Sequence, residues 1–241
     1  MEASIDNFLG GRIKIYQPIR GYRAGIDAVL LASFINAYDN CKILDVGSGT
    51  GLITFCIAYR YKKICITGIE KNKNYYNLSL KSLKVNKFKS KIRFVNNDFS
   101  KIKNFNCDII VSNPPWFEKN KTFVSPNNLL NDAKIESLDL NMWIKKVFQN
   151  LNCEGEYYTI FPYNRLNSLL KLVNKYFKIV KVYPISSFSD KSPDKAIVYA
   201  KRSAKKYSFN EFERIIIHKN DRSFMDNIND VLTKGIAFTL A

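Results

Sequence analysis

The chain has 241 residues, enough for one α/β domain with a full core and little beyond it. Hydrophobic residues make up 46% and charged residues 24%, which excludes a disordered chain, and no apolar run approaches the ~20 residues that span a bilayer. The net charge of +17 favours a polyanionic partner such as a nucleic acid, although the wealth of Lys, Asn and Ile is also what an AT-rich genome produces.

The N-terminus carries acidic residues and lacks the basic and apolar regions of a signal peptide, so the expectation is a cytoplasmic protein. Residues 8 to 18 predict a small hairpin, with Gly10-Gly11 at the turn and alternation from Arg12 to Tyr16. Ile26 to Ala37 predicts a helix. Strands are then expected at Lys42–Val46, Ile64–Ile69, Ile92–Asn96, Cys107–Ser112, Gly155–Phe161, Lys178–Pro184 and Ala196–Lys201. Helices are expected at Gly51–Tyr61, Lys73–Val85, Leu138–Asn150 and Arg165–Tyr176. This alternation implies an α/β, doubly wound, mostly parallel seven-stranded sheet. It would form one domain, with an N-terminal extension over residues 1–40, a core over 41–202 and a C-terminal extension over 203–241.

A histidine zinc site or a Ser-His-Asp triad is excluded as a reading because His218 is the only histidine, and no metal is expected. His218 follows an apolar run and reads as structural. The cysteines, at positions 41, 56, 65, 107 and 153, form no CxxC pair and read as reduced core residues.

Ligands of doubly wound sheets bind beyond the carboxyl ends of the strands. There the first core strand ends in Asp45-Val46-Gly47-Ser48-Gly49-Thr50-Gly51, before a helix. The second ends in Glu70, whose carboxylate can hold both hydroxyls of a ribose. The loop is G-x-G-x-G with an acidic residue two positions earlier, not the G-x-G-x-x-G that admits a pyrophosphate. It resembles the first motif of class I methyltransferases that use S-adenosylmethionine. That resemblance assigns Asp45, Gly47, Gly49 and Gly51 to the methionine side of the cofactor, Glu70 to the ribose and Asp98 to the adenine amino group.

The fourth core strand runs into Asn113-Pro114-Pro115-Trp116. Paired prolines rigidify the chain and leave nearby carbonyls free to accept, and Asn113 adds a side-chain acceptor. Two acceptors suit an amino group, and Trp116 offers a flat face for a base. The stretch resembles the [N/D]-P-P-[Y/F/W] signature of amino-nitrogen methyltransferases, with Trp at the last place less usual than Tyr or Phe.

A further stretch, Gln17 to Ala32, resembles the segment at the same place in the bacterial tRNA(Val) adenine-N6 methyltransferase family. There it helps enclose the cofactor and the target base, which makes Gly25 and Asp27 candidates. The other reading of Asp27 is an acidic residue favourably placed at a helix N-terminus. The resemblance implies RNA, in particular tRNA, as substrate and the adenine beside the anticodon as target. A ribosomal RNA adenine, a glutamine in a protein and a non-catalytic RNA-binding role stand as alternatives. The basic run Lys201 to Lys206 is expected to take part in RNA binding, with Lys81 to Arg93 as the other candidate footprint.

Overall fold

The computed structural model describes residues 2–113 and 140–239. Among these, two strands form an N-terminal hairpin: β1 (Ala3–Phe8) and β2 (Ile13–Pro18). The helix α1 (Ile26–Ser33) leads to the core strands β3 (Lys42–Val46), β4 (Cys65–Glu70), β5 (Lys91–Asn96) and β6 (Cys107–Ser112). Between β3 and β4 lies α2 (Leu52–Arg60), and between β4 and β5 lies α3 (Lys73–Val85). The chain continues through α4 (Leu140–Asn150), β7 (Leu151–Pro162), α5 (Leu166–Tyr176), β8 (Ile179–Ser186) and β9 (Lys195–Lys201). It ends with β10 (Ser208–Glu211), β11 (Ile215–Ile216) and α6 (Asp226–Lys234).

The strand order β10-β8-β9-β7-β6-β3-β4-β5, with β11 also on β8, makes a nine-stranded sheet, not the seven strands expected. All pairings but those of β9 are parallel. The two additional strands come from the C-terminal extension. At four and two residues, one of them with three exposed positions, they carry too short a pattern to be read in advance.

Alternation across the pleat builds two cores. Ile43, Ile109 and Ile197 face the hairpin, α1, α2 and α6, whereas Leu44, Ile110 and Val198 face α4 and α5. Helix α1 stops at Ser33, four residues short of expectation. The guanidinium of Arg60 donates to Ala32 O (2.7 Å) and Ile35 O (2.6 Å), and the Tyr61 hydroxyl donates to Ile35 O (2.9 Å). These donors satisfy carbonyls at the helix end, so the chain can leave the helix while buried.

Three cysteines are buried as expected, but Cys65 and Cys153 are exposed, and all five are free. His218 lies between the rings of Phe188 and Phe224, with centroids 5.3 Å and 4.9 Å away, a packing role. Leu138 and Asp139, expected in the helix now labelled α4, lie outside the described residues. No helix of the described residues is long and apolar enough to cross a membrane.

Candidate active site

Strand β3 sits between β4 and β6, so the connections leave it in opposite directions and open a crevice at its carboxyl end. The register sets the site. Val46 pairs with Ile69 on one side and with Ser112 on the other. The next residues, Gly47, Glu70 and Asn113, therefore form one row across three strands. At a strand spacing of ~4.8 Å, Asn113 starts about 5 Å from the glycine loop and about 10 Å from Glu70.

The loop is shaped by glycines in the left-handed region, with φ of 73° at Gly47 and 55° at Gly49. A Cβ at either would meet nothing within 4 Å, so both flank open space where a ligand can approach the backbone. Gly51 differs. It caps α2 at φ 93°, and a Cβ there would lie 2.7 Å from the Phe55 ring and 2.8 Å from that of Phe94. Its role is packing beneath the loop. The N–H groups of Gly47 and Ser48 donate to Ile69 O at 2.8 and 3.0 Å, which ties the loop to β4.

Asp45 is fully buried. Its Oδ2 accepts from Thr54 N (3.1 Å) and Thr54 Oγ1 (2.7 Å), whereas Oδ1 has no partner among the described residues. Burial pushes its carboxyl up to about 7 against the lowering effect of the Thr54 donors, and the nearby Glu70 charge adds to the rise. Ser48 Oγ and Thr50 Oγ1 are also buried without a partner. Three bare polar atoms around one loop cost free energy unless a ligand meets them. Glu70 is 9% exposed, and its oxygens accept from Gly49 N (2.9 Å) and Asn72 N (2.8 Å). Burial raises its pKa, opposed by those two N–H groups. Each oxygen retains a lone pair for a further donor.

Asp98 follows β5 and caps a short 3-10 turn, accepting from Ser100 N at 2.7 Å. Burial works to raise its pKa, but the Ser100 donors and the charges of Lys71 and Lys101 outweigh it and leave it below the ordinary value. It stands one strand beyond Glu70, on the same edge. Asn113 is half-buried at the end of β6, beside a buried network in which Ser112 Oγ meets Tyr157 OH (2.9 Å) and Trp143 Nε1 donates to the same hydroxyl (3.2 Å). Pro114, Pro115 and Trp116 lie outside the described residues.

Gly25 and Asp27 are placed differently from the other candidates. Gly25 is the N-cap of α1, and Asp27 sits in its first turn with both oxygens on Lys195 Nζ, at 3.0 and 2.8 Å. That geometry favours the helix-terminus reading, with an ion pair tying α1 to the start of β9. The same stretch contains a residue that pattern reading missed. Gln17 is 1% exposed, and its amide bonds Asp6 Oδ2 (2.9 Å), Ala24 O (3.0 Å) and Ala24 N (2.8 Å). It pins the loop 18–24, whose Tyr22 N–H donates to the Tyr75 hydroxyl (2.9 Å) near Glu70. Gly68 was missed as well. A Cβ there would lie 2.5 Å from Phe94 and 2.8 Å from Ser48 Oγ, so the loop can lie down only over a glycine.

The basic run is also corrected. Lys201 pairs with Glu156 (3.5 Å) and Glu154 (3.7 Å), and Arg202 donates to Leu151 O (2.9 Å) while covering the Phe148 ring at 4.4 Å. Two of its four cations thus hold the end of β9 to β7 rather than facing a partner.

A doubly wound sheet with a glycine-lined crevice, bare polar atoms and an acidic edge at the switch point defines a methyltransferase of the class I fold. Solved structures share that fold: a predicted O-methyltransferase of Agrobacterium tumefaciens has a TM-score of 0.70 at 18% identity, covering 88% of this chain and 98% of that one. The Thermus thermophilus 16S rRNA N2 G1207 methyltransferase, in complex with AdoMet and guanosine, has a TM-score of 0.57 at 16% identity, covering 83% and 50%. Residues 24–141 match the family described as methyltransferase small domain. Among curated relatives, the tRNA1(Val) (adenine(37)-N6)-methyltransferase of Histophilus somni is 24% identical over 83% of this chain and 84% of its own length. The protein of that name from a Flavobacteriaceae bacterium is 32% identical over 59% and 60%. A release factor glutamine methyltransferase of Fusobacterium nucleatum is 29% identical over 71% of this chain and 50% of its own length.

The residues present fit S-adenosylmethionine, the methyl donor of this class. The open backbone at Gly47 and Gly49 leaves room for the methionine moiety, Asp45 Oδ1, Ser48 Oγ and Thr50 Oγ1 lack partners there, and Glu70 has lone pairs to spare for two ribose hydroxyls.

Proposed function

We propose that this protein methylates the exocyclic N6 amine of an adenine in a tRNA anticodon loop, beside the anticodon. The observation that supports the reading is the strand register, by which Asn113, the first residue of Asn113-Pro114-Pro115-Trp116, follows β6 in one row with Gly47 and Glu70. The relatives named for tRNA1(Val) adenine methylation support the choice of substrate.

Bound S-adenosylmethionine supplies an electrophilic methyl group. The amine of adenine is a weak nucleophile because its lone pair is delocalised into the ring. Asn113 Oδ1 and a carbonyl beside Pro114 accept its two N–H bonds. They favour a pyramidal nitrogen and stabilise the positive charge that develops as it is methylated. Position contributes too: Asn113 would hold the amine of a bound adenine at the mouth of the cofactor crevice. Trp116 stacks on the extruded base, a contribution of roughly 1–3 kcal/mol. A loop adenine is the least costly to extrude because it is unpaired.

A second reading, methylation of a glutamine amide in a protein, is favoured by the similarity to the release factor enzyme. Nucleoside mass spectrometry of undermethylated tRNA after incubation with the enzyme and methyl donor tests the choice. N6-methyladenosine is the expected product. Methylglutamine in a release factor, with no methylated adenosine in any RNA, would overturn it.

A further inference from the structure

From Lys71 to Asn97 the sequence holds eight basic residues and no acidic one. Lys81 and Lys84 lie on α3, Lys87 and Lys89 on the turn after it, and Lys91 and Arg93 on β5. All six are exposed, and none forms an ion pair among the described residues. Elsewhere several cations are committed: Arg23 to Asp6, Lys195 to Asp27, Lys201 to Glu154 and Glu156, and Lys219 to Asp226. The hairpin adds one more. Asn86 both accepts from Lys14 N (2.9 Å) and donates to Lys14 O (2.6 Å), so the exposed Lys14 sits beside the end of α3.

Position gives this surface its meaning. β5 is the last strand of the sheet, and α3 begins at the catalytic edge and runs away from it. Its 13 residues span about 20 Å at ~1.5 Å each. The cations therefore form a track down one flank, starting below Glu70 and Asp98 and ending about 20 Å from the crevice. An RNA loop opened at the crevice would bring its stem into that range, with phosphates facing the flank.

We infer that the α3–β5 flank is the docking surface for the phosphate backbone of the RNA stem, while the crevice takes the loop. The inference rests on the RNA reading of the function. It competes with one physical alternative: lysines on an edge strand also block edge-to-edge pairing. That role explains Lys91 and Arg93, but not Lys81, Lys84, Lys87 and Lys89, which lie off the strand.

The test replaces Lys81, Lys84, Lys87 and Lys89 together by Gln, and separately by Arg. A third protein carries Lys205→Gln and Lys206→Gln. Binding of an unmodified tRNA(Val) transcript is measured against salt, with calorimetry of the methyl donor as the control for folding. Each phosphate contact contributes a slope of ~0.9 in log affinity against log salt, so the Gln variant should lose about 3 to 4 from its slope. At ordinary ionic strength it should bind more than tenfold more weakly, while donor binding stays unchanged. The Arg variant should keep the slope, and so should the Lys205/Lys206 protein. A Gln variant that binds tRNA with the parental slope overturns the docking surface and leaves the RNA reading intact. Equal retention of all variants on phosphatidylglycerol vesicles and on tRNA would likewise overturn it. A parental protein that binds no tRNA at all sinks the RNA reading together with the surface.

Discussion

The carboxyl of Asp45 is the group whose ionisation the fold resists most visibly at the site. It is fully buried with one oxygen bare, and it titrates at about 7 against 3.8 when solvated. A folded-state pKa raised above the unfolded one means that the folded chain holds a proton the unfolded chain has released. Stability from this group is therefore complete below about pH 4 and falls as the pH rises to about 7, beyond which it is constant. At about 1.4 kcal/mol per unit, a rise from 3.8 to about 7 corresponds to a loss of about 4 kcal/mol. Glu70 shifts in the same direction, so the parental curve contains both. The difference between parental protein and Asp45→Asn isolates one, because an amide can still accept from Thr54 while carrying no charge. Urea denaturation of the ligand-free protein at pH 5, 6, 7 and 8 should show the parental protein losing about 2–3 kcal/mol relative to Asp45→Asn across the range. Identical pH dependence of the two proteins would mean that Asp45 ionises without cost, and that its bare oxygen is not a site waiting for a partner.

Glu70→Ala removes a charged acceptor and should weaken methyl-donor binding by about 1.5–3 kcal/mol, read by calorimetry; unchanged affinity would remove Glu70 from the ribose site. Asn113→Ala should abolish turnover while the donor still binds, because the lost bonds act in the transition state, and near-normal single-turnover methylation would refute the role. Trp116→Ala should lose activity that Trp116→Phe or Trp116→Tyr largely keeps, measured as kcat/KM on tRNA. Gly68→Ala forces a Cβ to 2.5 Å from Phe94, so thermal unfolding should show a loss of about 1–3 kcal/mol, with donor affinity falling as the loop over Ser48 shifts.

Much of the core was legible because its strands are buried on both faces. Lys42–Val46, Cys107–Ser112 and the helix Lys73–Val85 fall where the residue pattern puts them. Asn72 shows why the last is so well defined: its side chain accepts from Asn74 N and Tyr75 N and fixes the helix start. What escaped depended on contacts between distant residues. The end of α1 is set by Arg60, 25 residues beyond Ile35, and no local signal at Phe34 announces it. The alternation in Arg12 to Tyr16 gave the second hairpin strand. The first runs from Ala3 to Phe8, ahead of the expected start, because its polar residues are tolerated on a half-exposed strand.

The same distinction runs through the site. The spacing of Asp45, the glycines and Glu70 identifies a strand–loop–helix unit, since each residue acts on its neighbours. It cannot tell which glycine meets a ligand and which meets the core. Gly47 and Gly49 face open space, while Gly51 and Gly68 are held small by Phe55 and Phe94, two rings supplied by a helix and a neighbouring strand. Charge behaves alike. Lys201 and Arg202 read as a basic tail because Glu154, Glu156 and Phe148 lie about fifty residues upstream, out of sight of any local window. The stretch from Lys71 to Asn97 contains no acid of its own, and its six cations from Lys81 to Arg93 form no ion pair among the described residues. Six exposed cations on one helix–strand flank are what a polyanion lying along α3 and β5 would require.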